Sequence, residues 1–141
     1  MTDIRGTVLV VDDDRHITRG SCLRLKSRGF ATAEAHSGEA AVEYLSASTP
    51  DLVLLDIRMP GMNGLEVLRW IKARKELQHV PVVMMSASLV YTDEALECGA
   101  ARYLSKPCDS KTLLAAVEEV LAESRSESAA PQLVAAGGSH E

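Results

Sequence analysis

Carboxylate residues directly follow two apolar runs of this sequence. Asp12 and Asp13 follow Val8–Val11, and Asp56 follows Leu52–Leu55. A short apolar run beside turn-forming residues is typical of a strand that is buried on both faces of a parallel sheet. Sheets of this kind bind their ligands outside the carboxyl ends of the strands. The sequence therefore places these carboxylates where such a sheet binds a ligand.

Carboxylates gathered in one crevice repel one another and stay ionised only beside a cation. Oxygen ligands with open coordination positions suit Mg²⁺. A carboxylate can also act as a nucleophile and form an acyl phosphate, and phosphoryl transfer needs mainly alignment and charge neutralisation. Ser86 and Lys106, which follow later apolar runs, could give the phosphoryl group a hydrogen bond and a positive charge. The pattern favours Asp56 as the nucleophile and Asp12 and Asp13 as Mg²⁺ ligands.

Each of these residues also has an ordinary structural explanation. An aspartate pair after a strand is often a helix N-cap, a serine is often a cap, and a lysine is often solvated. The functional interpretation rests on the whole set occurring at the strand exits of one sheet.

Five apolar runs alternate with five amphipathic segments, which predicts an α/β fold built from right-handed βαβ units. We expect a doubly wound parallel sheet of flavodoxin-like type with the strand order 2-1-3-4-5, which seats strand 1 beside strand 3. The helices are predicted at about 15–28, 38–48, 64–77, 92–99 and 110–124, and the strands at 8–11, 30–35, 52–55, 81–85 and 102–105.

Composition limits the possible partners. The chain has 141 residues, 46% of them hydrophobic, which fits one globular domain over residues 1–124 and a disordered tail over 125–141. The net charge of −5 and the lack of a basic block argue against a nucleic-acid partner. No apolar stretch approaches the roughly 18 residues of a membrane span, and no signal peptide is present. We expect a cytoplasmic protein whose three cysteines are reduced.

Four motifs together resemble the receiver domain of bacterial two-component response regulators. They are Val-Val-Asp-Asp-Asp at 10–14, Leu-Leu-Asp-Ile-Arg-Met-Pro-Gly-Met-Asn-Gly at 54–64, Met-Ser-Ala at 85–87 and Tyr-Leu-Ser-Lys-Pro at 103–107. The resemblance covers residues 6–123. It implies that a sensor histidine kinase or a histidine phosphotransfer protein phosphorylates Asp56. It also implies Asp12 and Asp13 as Mg²⁺ partners, with the backbone carbonyl of Arg58 completing the ligands.

The resemblance further assigns residues that would respond to phosphorylation. Ser86 holds the family's hydroxyl switch position, Tyr103 its aromatic switch position and Lys106 its lysine position, with a cis bond implied before Pro107. We expect Tyr103 to exchange an outward rotamer for an inward one after phosphorylation. The 20 positions from Ser86 to Lys106 are fewer than is usual in the family, which predicts a short or shifted fourth helix.

The sequence therefore favours a stand-alone phospho-acceptor switch that binds an unknown downstream protein or passes its phosphoryl group along a relay. It would not be an enzyme beyond assisting its own phosphorylation and dephosphorylation. One alternative is a small-molecule phosphatase with an aspartate nucleophile, although Arg58 stands where such an enzyme needs a second carboxylate. Another alternative is an interaction module that works without phosphorylation, and the intact set of site residues argues against it.

Overall fold

The protein folds as a five-stranded parallel sheet with helices on both faces. The computed structural model describes residues 5–129, with side chains described for residues 5–126. The sheet order is β2-β1-β3-β4-β5, so the predicted fold class and strand order are confirmed. The strands are β1 (Thr7–Val11), β2 (Ala31–Ala35), β3 (Leu52–Asp56), β4 (Val82–Ser86) and β5 (Arg102–Ser105). The helices are α1 (Arg15–Ser27), α2 (Gly38–Ala47), α3 (Gly64–Lys72), α4 (Thr92–Glu97) and α5 (Ser110–Ala129).

The sheet register brings the two acidic strand ends together. Strand β1 pairs with both β2 and β3, and Val11 lies opposite Leu55. The next residues along these strands are Asp12 and Asp56. Since all five strands run in the same direction, their carboxyl ends share one edge of the sheet.

The sheet separates two apolar clusters. One lies under α2, α3 and α4 and contains Leu9, Leu55 and Leu68. The other lies under α1 and α5 and contains Leu25 and Val117. All residues of β3 and β4 are buried, as expected for central parallel strands. Burying side chains of this size is worth roughly 1.5–3 kcal/mol each, which fixes the strands that carry the site.

Helix α3 ends earlier than predicted. It stops at Lys72 rather than near Leu77, because the chain leaves the helix and makes further turns that bury Leu77. The Lys72 ammonium group donates to the carbonyl oxygens of Gln78 (3.0 Å) and Val80 (3.3 Å), which holds these turns in place. Leu77 is thus part of the core although it lies outside the helix.

Helix α4 is slightly shorter than predicted and helix α5 is longer. Helix α4 has six residues, which confirms that this segment is short. Helix α5 continues to Ala129, so its predicted end near residue 124 is wrong. No Gly or Pro interrupts the sequence before Pro131, and Arg125 donates to the backbone carbonyl of Arg5. The rest of the predicted tail, residues 130–141, lies outside the described residues.

Several local predictions are confirmed. The Ser37 side chain caps α2, the Asp109 side chain accepts from the Thr112 N–H at the start of α5, and Gly29 has a positive φ of 92° after α1.

All three cysteines are free. Among the helices of residues 5–129, none is both long enough and apolar enough to cross a membrane.

Candidate functional site

The predicted site residues lie at the carboxyl edge of the sheet. Asp12 follows β1, Asp56 ends β3, Ser86 ends β4 and Lys106 follows β5. In the register of β4 and β5, Ser86 lies opposite Ser105, which places Lys106 beside the crevice. The sheet topology therefore brings together residues that are up to 94 positions apart in the chain.

Three carboxylates meet in this crevice. One oxygen each from Asp12, Asp13 and Asp56 lies within 4.8 Å of the others. Asp12 and Asp56 are buried, whereas Asp13 is exposed. Burial raises the pKa of Asp56, and the neighbouring charge of Asp12 raises it further. The ammonium group of Lys106 lowers this pKa, but the net shift is upward. The crevice therefore carries more negative charge than its own cation neutralises.

Lys106 joins the two buried carboxylates. Its ammonium nitrogen lies 2.6 Å from Asp12 Oδ2 and 3.1 Å from Asp56 Oδ1. Burial alone would lower the pKa of Lys106, but its hydrogen bonds and the charges of both aspartates raise it above the ordinary value. The lysine is therefore a fixed positive charge at the point where a phosphoryl group on Asp56 would carry its oxygens.

The aspartates at 12, 13 and 14 have different surroundings. Asp12 Oδ1 accepts from the Asp14 N–H at 2.9 Å. Asp14 is the N-cap of α1, since its side chain accepts from the N–H groups of His16 and Ile17. Asp13 has no hydrogen-bond partner in the described part of the chain, so its exposed carboxylate is available to a ligand. The helix N-cap is therefore Asp14 and not either member of the pair Asp12 and Asp13.

Two further residues, which the sequence did not indicate, lie against the backbone carbonyl of Asp12. The carbonyl oxygen of Asp12 lies 3.3 Å from Thr18 Oγ1 and 3.3 Å from His36 Nδ1, while the Thr18 hydroxyl has a closer acceptor in the Asp14 carbonyl oxygen at 2.8 Å. Thr18 is fully buried, and the His36 ring also lies 3.3 Å from Glu34 Oε1. A threonine in the first helix and a histidine after β2 carry no local motif, so only the tertiary structure shows this role.

Arg58 lies in the loop that follows β3. Its side chain is exposed and lines a shallow groove with Pro60, Asn63 and Tyr91. The loop closes through a 2.9 Å hydrogen bond from the Gly64 N–H to the Ile57 carbonyl, and α3 begins with a capping box. A Cβ at Gly64 would lie 2.2 Å from the Asp56 carbonyl oxygen, so this close turn after the acidic strand requires glycine.

A chain of hydrogen bonds links Ser86 to Tyr103. The buried Ser86 hydroxyl accepts from the Ser88 N–H at 3.1 Å, and the Tyr103 hydroxyl donates to the Ser88 carbonyl at 2.5 Å. The Tyr103 ring is half-buried and packs against the core cluster under α4. The change of Tyr103 rotamer after phosphorylation stays a prediction.

An open cavity adjoins the crevice on the side of α1. Its volume is about 440 Å³, and Lys106 forms part of its wall. Apolar side chains, including Ile17 and Leu113, line it together with Arg24, and Gly20 leaves its α1 side unobstructed. The cavity therefore offers a mainly apolar surface with positive charge directly beside the acidic residues.

The donor set at the crevice fits a hard divalent cation. All three side chains offer oxygen atoms, one of them exposed, and the cluster has excess negative charge. Mg²⁺ prefers oxygen ligands and keeps part of its water shell, so an open acidic site of this type suits it. The residues can therefore hold a metal ion at the end of β3.

Comparison with known proteins agrees with the fold. The family model described as the response regulator receiver domain matches residues 8–118. The chain belongs to the response regulator receiver domain family.

Relatives with this domain are longer than the present chain. The DNA-binding response regulator MtrA of Mycolicibacterium smegmatis is 38% identical over 131 residues, which cover 92% of this chain and 56% of MtrA. The phosphate regulon transcriptional regulatory protein PhoB of Escherichia coli K12 is 35% identical over 116 residues, which cover 81% of this chain and 51% of PhoB. The chain thus spans about half the length of the curated relatives it matches.

Solved structures show the same fold. A CheY-like response regulator receiver domain protein from Methanospirillum hungatei superimposes with a TM-score of 0.80 and 29% identity, covering 90% of this chain and 99% of that one. NtrX from Brucella abortus gives a TM-score of 0.84 and 30% identity, covering 94% of this chain but 30% of NtrX.

Proposed function

We propose that Asp56 is the phosphoryl acceptor of a two-component signalling switch. The observation that carries this proposal is the position of the Asp56 carboxylate, which ends β3 within 3.1 Å of the Lys106 ammonium group and beside Asp12 and Asp13. Membership of the receiver family supports the same assignment. The phosphodonor is a sensor histidine kinase or a histidine phosphotransfer protein.

The proposed reaction is a direct transfer between a nitrogen and an oxygen atom. The ionised Asp56 carboxylate attacks the phosphorus of a phosphohistidine in line with the N–P bond. The new O–P bond forms as the N–P bond breaks, and the released imidazole takes up a proton from solvent. Aligned attack with charge neutralisation is sufficient for this chemistry.

The surrounding residues hold the transferred group. Lys106 donates to one phosphoryl oxygen, and the Ser86 hydroxyl turns to donate to another. When bound among Asp12, Asp13 and Asp56, Mg²⁺ supplies positive charge that neutralises the remaining phosphoryl oxygens. The backbone carbonyl of Arg58 would complete its protein ligands.

The cavity beside α1 supports docking of the phosphodonor at this side of the crevice. It is mainly apolar and borders Lys106, and it leaves Gly20 open to an approaching helix. The domain would then act in the cytoplasm as a switch that signals to a downstream protein or relays its phosphoryl group. The net charge of −5 supports a protein partner rather than a nucleic acid.

Intact-mass measurement with acetyl phosphate tests the proposal. The wild-type protein should gain one phosphoryl group in the presence of Mg²⁺ and none in EDTA. A small-molecule phosphatase would instead release phosphate over many turnovers without a lasting mass gain. An interaction module that works without phosphorylation would show neither result.

A further inference from the structure

The loop between β3 and α3 has few backbone contacts of its own. Among the backbone groups of residues 58–62, only the Met62 N–H has a hydrogen-bond partner within the described part of the chain. That partner is Glu39 Oε2, at 3.1 Å, from the first turn of α2. The helix that connects β2 to β3 therefore holds this loop near its end.

The two segments approach too closely for most side chains. A Cβ at Gly38 would lie 2.4 Å from the Met62 carbonyl oxygen. Gly61 has a φ of +73°, and a Cβ there would lie 2.9 Å from Glu39 Oε2. Glycine at both positions thus permits the close contact between the start of α2 and the loop. The Glu39 carboxylate supplies the hydrogen bond of this contact.

The other supports of the loop act at different points. The Met59 side chain is buried in the core, and the Gly64 N–H closes the loop onto Ile57. Asn63 and Glu66 form the capping box of α3. These contacts fix where the loop starts and ends, whereas the Glu39 contact acts on Met62, four positions after Arg58 with Gly61 between them.

We propose that Glu39 is a positioning residue for the cation site. Its carboxylate accepts the Met62 N–H and would thereby hold the loop that carries Arg58, whose backbone carbonyl is the remaining protein ligand of the proposed site. This inference rests on the proposed Mg²⁺ site, and Glu39 itself does not touch the metal ion. Because Glu39 is exposed, its hydrogen bond competes with water and the effect on metal affinity is moderate.

Mg²⁺ titration of three variants of the full chain tests this role. Amide chemical shifts would report Mg²⁺ affinity, and hydrogen exchange of the Met62 amide would report the contact itself. Glu39→Ala should weaken Mg²⁺ binding about three- to tenfold and speed exchange at Met62. Glu39→Gln keeps an acceptor oxygen and should retain wild-type values for both. Glu43→Ala removes the same charge from an exposed position on α2 and is the matched control.

Three outcomes would contradict the proposal in distinguishable ways. If Glu39→Ala exposes the Met62 amide but binds Mg²⁺ as tightly as the wild type, the positioning role is wrong and the metal site stands. Equal losses of Mg²⁺ affinity in Glu39→Ala and Glu39→Gln would show that the effect comes from the charge of Glu39 and not from its hydrogen bond. A wild-type protein whose Asp12, Asp13 and Asp56 amides do not respond to Mg²⁺ would overturn the proposed function itself.

Discussion

The ammonium group of Lys106 lies between the two buried carboxylates of the site, 2.6 Å from Asp12 Oδ2 and 3.1 Å from Asp56 Oδ1. One cation thus faces three carboxylates when Asp13 is included. Its side chain is only 16% exposed, so water screens these charges poorly. Lys106 therefore stabilises the metal-free crevice, and under the proposed function it would also bind a phosphoryl group on Asp56.

Lys106→Ala should destabilise the metal-free protein by about 1–3 kcal/mol, because it leaves two buried carboxylates without their shared donor. Mg²⁺ should restore much of this loss, since a bound divalent cation stabilises the folded state and neutralises the same carboxylates. Phosphorylation by acetyl phosphate should become slower. Urea denaturation with and without Mg²⁺ measures the first two effects, with Lys111→Ala, an exposed lysine of α5, as the control. Equal stability of Lys106→Ala and the control would contradict the account.

Asp56→Asn should raise the thermal stability of the metal-free protein at neutral pH. The folded protein raises the pKa of Asp56, first through burial and then through the charge of Asp12, so the ionised form costs stability. This cost is absent below the pKa of the unfolded chain and develops as the pH rises to the folded pKa. The gain from Asp56→Asn should therefore vanish in acid, and thermal unfolding over a pH series would detect it. If the stability gain of Asp56→Asn grew as the pH fell, it would contradict a raised pKa of Asp56.

Mg²⁺ affinity should fall as the pH decreases through the raised pKa of Asp56. A protonated carboxyl group is a poor ligand, so protons compete with the cation for the crevice. Because this pKa is raised, the weakening should begin at a higher pH than for a ligand carboxylate of ordinary pKa. Isothermal titration calorimetry across the acidic range measures the effect. A pH-independent affinity would show that Asp56 is not among the ligands.

Asp13 and Asp14 should respond differently to the same substitution. Asp14→Ala removes the N-cap of α1 and should cost about 1 kcal/mol of stability with little change in Mg²⁺ affinity. Asp13→Ala should weaken Mg²⁺ binding and leave the metal-free protein no less stable, because it relieves carboxylate repulsion. Chemical denaturation and Mg²⁺ titration of both variants would check this. A clear loss of metal-free stability in Asp13→Ala would make Asp13 a structural residue.

Ser86 should couple the phosphoryl group to Tyr103 through Ser88. A phosphoryl group on Asp56 would draw the Ser86 hydroxyl away from the Ser88 N–H, which in turn adjusts the carbonyl that holds Tyr103. Tyr103 ring signals in NMR should therefore shift when beryllofluoride, a phosphate mimic, is added. Ser86→Ala should abolish the shift while Asp56 still accepts a phosphoryl group. An unchanged Tyr103 signal in the wild-type protein would contradict this coupling and indicate that another part of the α4 region responds to phosphorylation.

The sequence predicted those features that have a local pattern. Apolar runs ending in carboxylates located the strands and the acidic edge, and capping residues such as Ser37 located helix starts. The predicted end of α3 was wrong because residues 73–80 contain no Gly or Pro to mark where the helix stops. The support of Asp12 by Thr18 and His36 joins separate elements, and the length of α5 was misjudged from composition although no helix breaker was present.

Borohydride trapping tests the central assignment most directly. An acyl phosphate on an aspartate is reduced by borohydride to homoserine, so peptide mapping after treatment with acetyl phosphate and Mg²⁺ identifies the residue that carried it. The account predicts homoserine at position 56 in the wild-type protein and at no position in Asp56→Asn, with Asp93→Asn behaving as the wild type. Homoserine at Asp12 or Asp13, or its persistence in Asp56→Asn, would contradict the assignment of Asp56 as the phosphoryl acceptor.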